Sequence, residues 1–130
     1  NLREAARSGD VDAMYRMGLH CEEGTGTRPD PEQALHWYRQ AAAGGHIPAL
    51  YRMGRCYAQG IGVARDMSQA AEIYQAAAQR GDPDAMVSLA WCYEHGEGVP
   101  QDKAEAAKWY QRGAQAKEAK ENGRSGPAPR

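Results

Sequence analysis

The stretch GEGVPQD, Gly96 to Asp102, sets two glycines in a G-x-G spacing just after a carboxylate, Glu94, and an imidazole, His95. Taken alone it suggests a phosphate-cradling turn beneath a catalytic pair. It is not alone. GTGTRPD runs from Gly24 to Asp30, and GIGVARD from Gly60 to Asp66. A nucleotide-binding loop needs one such turn between a strand and a helix, whereas here three turns each separate two helical patterns. The first glycine of each turn is expected to cap a helix C-terminus, where only glycine adopts φ > 0 cheaply; the second serves the turn.

Working outward, the whole chain repeats. Rows beginning at Gly9, Gly45 and Gly81 align without gaps at an offset of 36 residues. Ala13, Ala49 and Ala85 share a column, as do Met17, Met53 and Leu89, and the small residues Gly18, Gly54 and Ala90. Asp30, Asp66 and Asp102 align, then Ala34, Ala70 and Ala106, then Tyr38, Tyr74 and Tyr110. A period of this length marks stacked supersecondary units, none of which can bury its apolar face alone.

Each unit reads as two helices. The first spans Val11 to Glu23, Ile47 to Gln59 and Pro83 to His95, with apolar or small residues on one face at 13, 14, 17, 18 and 21. Asp10 and Asp82 fit N-caps. The second helix starts at Asp30, Asp66 and Asp102, each followed three residues later by Gln33, Gln69 or Glu105, which predicts a capping box. Gly18, Gly54 and Ala90 are expected to face Ala41 and Ala77 and let helix axes approach.

These rows resemble Sel-one-like repeats, α/α solenoid relatives of tetratricopeptide repeats. The likeness rests on MYRMGLHC…GTGTRPD…ALHWYRQAAAG, LYRMGRCY…GIGVARD…AAEIYQAAAQRG and LAWCY…GEGVPQD…AAKWYQRGA, and covers about Gly9 to Ala116. Thr27, Cys21, Ile73 and Gly113 depart from the pattern; Gly113 is expected to loosen the last helix by about 1 kcal/mol relative to Ala. The fold expectation is all-α: an α/α solenoid of three 36-residue helix-pair repeats forming a right-handed, tetratricopeptide-like superhelix. The expected divisions are 1–8 as an N-terminal partial helix or cap, 9–44, 45–80 and 81–116 as repeats, and 117–130 as a polar cap and disordered tail. Residues 1–8 continue the register backward, like the tail of a second-type helix trimmed from a longer solenoid or serving as a cap.

Composition bounds the function. The chain has 130 residues and a formal net charge of −1, with no basic excess of the kind nucleic-acid binding requires. No apolar run suffices for membrane insertion. The three cysteines are an odd number, which argues against a complete disulfide framework. Unpaired cysteines favour the cytoplasm over the periplasm, without settling the compartment, and the Ala/Arg/Gly-rich composition is compatible with a bacterial source. His20, Cys56 and Cys92 share a column, but equivalent residues in stacked units lie about 8–10 Å apart, too far for shared zinc ligation or a disulfide. No metal, cofactor or catalytic residue is expected. Cys92 and His95, at i and i+3, can touch but lack an orienting third group. Glu94 and His95 are expected to diverge into solvent.

Core columns repeat, while one face of the first helices does not. That face reads Tyr15, Arg16, Leu19, Glu22 and Glu23; then Tyr51, Arg52, Arg55, Ala58 and Gln59; then Val87, Ser88, Trp91, Glu94 and His95. In solenoids of the type resembled, first helices line the concave surface. Its aromatic and arginine content suits an interface. The expected binding residues are Tyr15, Arg16, Leu19, Tyr51 and Arg52, with Arg55, Ser88, Trp91, Glu94 and His95. The expected function is a non-enzymatic adaptor that docks another protein or peptide segment. The resemblance also leaves open a bacterial inhibitor or immunity protein neutralising a toxic enzyme and, further off, a hydrolase-like enzyme.

Overall fold

The computed structural model describes residues 1–26 and 28–123. Thr27 and the tail expected to be disordered beyond Gly123 lie outside the described residues. The described chain is helical throughout: α1 Leu2–Arg7, α2 Val11–Glu23, α3 Pro31–Ala43, α4 Ile47–Gln59, α5 Met67–Gln79, α6 Pro83–His95 and α7 Lys103–Glu121. No strand occurs among these residues. Helices pair within units as α2 with α3, α4 with α5 and α6 with α7; α3 on α4 and α5 on α6 join the units, and α1 packs on α2.

The helix ends follow from their capping residues. Asp10 and Asp82 accept from the N–H groups of Ala13 and Ala85 at 3.1 and 2.8 Å. His46 does the same in the middle unit, its Nδ1 accepting from Ala49 at 3.2 Å. Gly24, Gly60 and Gly96 end the first helices in the left-handed region, with φ of 77, 73 and 68°.

The second helices depart from the expected capping box. Asp30, Asp66 and Asp102 do accept from Gln33, Gln69 and Glu105 N–H. Their own N–H groups, however, donate to the carbonyls of Cys21, Tyr57 and Tyr93 at 2.7, 2.8 and 2.8 Å. The reason lies in the helix end: last-turn carbonyls lack intrahelical donors, and the G-x-G turn brings this N–H back to one of them. The bond clamps the two helices of each unit together through backbone alone.

The small-residue column also has a different partner from the expected alanines. A Cβ on Gly18 would lie 2.5 Å from Tyr38 Cε1, and one on Gly54 would lie 2.9 Å from the Tyr74 ring. The notch therefore seats the tyrosine of the second helix. Tyr38 is fully buried and Tyr74 nearly so; burial of such a ring contributes about 2–3 kcal/mol. In the third unit Ala90 occupies the column, and Tyr110 is only half-buried.

In the second and third turns the second glycine joins one unit to the preceding one. Gly62 lies against the Pro31 carbonyl at the start of α3, and Gly98 against the Met67 carbonyl at the start of α5; a Cβ would overlap either. Gly26 has open space around it. Gly113 is likewise a packing residue rather than a plain weakness. A Cβ there would lie 2.9 Å from Val87 Cγ2, so the expected loss of helix propensity is set against room for that methyl group.

Two tests separate these contributions. Gly26 and Gly98 share φ near 74 and 77°, so Gly26→Ala should cost about 1–2 kcal/mol for backbone strain. Gly98→Ala should cost about 1–3 kcal/mol more, because a carbonyl occupies the Cβ site. Urea unfolding of both variants measures the difference.

Asp82 is buried, and that burial raises its carboxyl above the ordinary value despite the Ala85 N–H and nearby Lys120. With the folded pKa above the unfolded one, the native state takes up the proton more readily. The ionised carboxylate therefore subtracts stability at neutral pH, and the penalty is relieved as pH falls through the raised pKa. Asp82→Asn, which keeps the cap oxygen, should be at least as stable as wild type at neutral pH. Its advantage should shrink on acidification, as seen in urea midpoints against pH.

Candidate functional site

The site is built where one face of α2, α4 and α6 steps from unit to unit. Between the first two units, polar groups close the face. Glu22 accepts from the Tyr38 hydroxyl at 2.7 Å and pairs with Arg55 at 3.0 Å. Both partners of the ion pair are mostly buried, Glu22 at 17% and Arg55 at 26% side-chain exposure. Burial, then the bond to Glu22, raises Tyr38 far above the ordinary phenol range. Arg52 is partly buried near Tyr15; burial opposes its charge, but Tyr15, Tyr38 and Glu22 together hold its pKa above the ordinary value.

One unit further on, the same backbone carries different side chains. Ala58 stands where Glu22 does, Trp91 where Arg55 does, and Ser88 where Arg52 does. The ion pair is gone. Burial raises the Tyr74 phenol above its ordinary range, and the neighbouring Ser88 hydroxyl opposes that shift. A hollow of about 250 Å³ opens, lined by Ala58, Met67, Tyr74, Ser88, Trp91 and Cys92, with Gln59 and Arg65 at its edge. Trp91 is 43% exposed and is the exposed large hydrophobic side chain among the described residues. Arg65 is held at the edge by the Ala58 carbonyl at 3.1 Å and Glu97 at 3.4 Å.

The third unit restores the acid. Glu94 accepts from the Tyr110 hydroxyl at 2.7 Å. His95 stacks on Trp91 with ring centroids 4.5 Å apart, and its Nδ1 lies 3.0 Å from the Trp91 carbonyl. Glu94 and His95 both reach solvent at the helix end as expected, but they do not diverge: Nδ1 and Oε1 are 3.9 Å apart. Each is turned by a stronger local partner, the tyrosine for Glu94 and the indole for His95.

The remaining expected residues fall into separate environments. Tyr15 packs on His46 at 4.6 Å and near Tyr38 at 6.1 Å. Leu19 packs against the buried cluster of Ala34, Leu35, Tyr38 and Cys56. Tyr51 lies 5.8 Å from Tyr74. Arg16 is exposed and paired with Asp12 at 3.0 Å. Ser88, Trp91 and His95 form the open part, while Arg52 and Arg55 are tied into the closed part. Arg65, Met67 and Tyr74 enter the hollow from outside the first helices, so no reading of that face alone finds them.

Cys56 and Cys92 are buried, and His20 of the same column is exposed. Burial first, with a carboxylate nearby, pushes each thiol up to about 11. That opposes thiolate chemistry at neutral pH. No group of three or more His, Cys, Asp or Glu side chains suited to a metal ion occurs among the described residues.

A family model for the Sel1 repeat matches residues 11–46, 47–82 and 83–117, nearly the whole described solenoid. The chain belongs to the Sel1 repeat family. Solved Sel1-type structures superpose on it. A protective antigen present in uropathogenic Escherichia coli strains, displaying an SLR fold, matches at TM-score 0.84 and 40% identity over 87% of this chain and 24% of its own length. A Sel1 repeat protein from Oxalobacter formigenes matches at TM-score 0.80 and 34% identity, over 84% of this chain and 44% of its own. Helicobacter pylori cysteine rich protein B matches at TM-score 0.69 and 20% identity over 88% and 87%, which supports the fold alone. The chain thus spans less than half the length of the first two. No curated protein matches it. Sel1 repeat proteins are generally protein-interaction scaffolds and typically non-enzymatic. Neither the geometry nor these neighbours favours the toxin-neutralising alternative.

Glu22 has two buried clients, so its removal should be felt in stability. Glu22→Ala should cost about 2–4 kcal/mol by leaving the Tyr38 hydroxyl and Arg55 without their acceptor. Glu22→Gln, which still accepts from Tyr38, should cost visibly less. Thermal unfolding of the pair checks the order.

Proposed function

We propose that this Sel1 repeat chain is a non-enzymatic protein-binding module whose concave face, lined by α2, α4 and α6, docks a segment of another protein. The observation that carries this reading is Trp91, 43% exposed beside a hollow at the position where the preceding unit buries an ion pair. An exposed indole above a recess is the kind of feature on which interfaces concentrate their energy. The hollow is smaller than a typical ligand cleft and suits one or two apolar side chains of a partner. The backbone clamps make the face rigid before binding, so docking orders little of this chain. A net charge of −1 supplies no electrostatic footprint for nucleic acid, and no described helix is long and apolar enough to cross a membrane.

The test is affinity capture on the immobilised chain, followed by calorimetric titration of the captured protein. Trp91→Ala should weaken binding about tenfold or more without lowering the melting temperature. Arg16→Ala, at a rim ion pair, should change Kd by less than about threefold. Equal binding by wild type and Trp91→Ala removes the site.

A further inference from the structure

A second hollow lies away from Trp91, where α1, α2 and α3 meet. It has a volume of about 500 Å³ and is lined by Arg3, Arg7, Met17, Cys21, Arg28 and Trp37, with Asp30 and Gln33 at its edge. Its origin is visible by comparison with the next unit. There the column of Cys21 holds Tyr57, and the column of Arg3 holds Arg39. Arg39 Nη2 donates to the Tyr57 hydroxyl at 2.6 Å, and its guanidinium lies 5.8 Å from the ring centroid. The cysteine in the first unit removes that ring and its acceptor but keeps the arginine.

The other substitutions around the hollow add charge. Arg7 and Arg28 stand where the next unit has Ala43 and Ala64. Arg3 and Arg7 are four residues apart on α1 and so share a face. Neither side chain has a hydrogen bond or ion pair to another described residue. The single carboxylate at the edge, Asp30, already caps α3 through Gln33 N–H. Arg3 and Arg7 thus face one committed acid across a recess lined by Met17, Cys21 and the half-buried Trp37. Burial and Asp30 raise the Cys21 thiol while Arg3 opposes them, which places Arg3 within electrostatic reach of the recess.

We infer that this hollow is a binding site for a small organic anion: a carboxylate or phosphate oxyanion held by Arg3 and Arg7, on an apolar or aromatic body seated against Met17, Cys21 and Trp37. Guanidinium forks match both oxyanions. The volume lies within the range of small-molecule clefts, and the lining combines apolar surface with a few convergent polar groups, as such clefts do. The site is independent of the Trp91 face.

Titration calorimetry with benzoate, phenyl phosphate, inorganic phosphate and benzyl alcohol tests it on the full chain. At least one of the two aromatic anions should bind saturably, and the tighter one names the headgroup. Inorganic phosphate and benzyl alcohol should each bind at least tenfold more weakly than that anion. The exposed double variant Arg3→Gln/Arg7→Gln should weaken binding tenfold or more with unchanged melting temperature. Cys21→Tyr, which restores the residue of the other units, should abolish binding; Trp91→Ala should leave it intact. Failure of both aromatic anions to saturate by about 10 mM overturns the site. So does equal affinity for benzyl alcohol or inorganic phosphate, or undiminished binding by the arginine double variant.

Discussion

The structure depends on a tyrosine ring lying flat in a notch where a neighbouring helix has no side chain. Gly18 and Gly54 bring α2 and α4 close enough that Tyr38 and Tyr74 fill the space between paired helices. That contact fixes the distance within a unit, and with it the position of the tyrosine hydroxyl. The hydroxyl emerges on the face formed by the first helices, where it must find an acceptor. Glu22 and Glu94 answer that need in the first and third units, whereas the middle unit has no carboxylate in that column. A packing constraint therefore decides the chemistry of the surface above it.

Backbone contacts make this arrangement repeatable. The aspartate N–H to last-turn carbonyl bond clamps each pair of helices, and the second turn glycine rests on the preceding unit at Pro31 or Met67. Neither contact uses a side chain that could vary. The clamp is common to all three units and the glycine contact to the second and third, so the face above can change without moving the scaffold. For a scaffold family this is a useful division, since partner choice and stability then rest on different atoms.

Both hollows follow from the same rule. When backbones superpose, a smaller residue in a column leaves its neighbour's partner missing, and close packing cannot relax enough to refill the space. Ala58 in the column of Glu22 opens the recess beside Trp91, and Cys21 in the column of Tyr57 opens the recess beside Arg3. One is mostly apolar and exposes an indole; the other is ringed by guanidiniums.

The period, the helix bounds and the capping aspartates were legible in the chain because each depends on local residues: a 3.6-residue apolar stripe, a left-handed glycine, an N-cap oxygen. The candidate face was legible as a set of columns that fail to repeat. Sequence reasoning did not reach which of those residues are spent on internal contacts. Arg55 and Arg52 looked as available as Trp91, yet Arg55 is bound to Glu22 and Arg52 is partly buried among the groups beside it. Nor did it reach the true partner of Gly18, the destination of the Asp30 N–H, or the entry of Met67 and Arg65 into the recess. These are contacts between residues on different helices or turns, set by how helices stack. Local pattern specifies which way a side chain points from its own helix; only the stacked units determine what it meets.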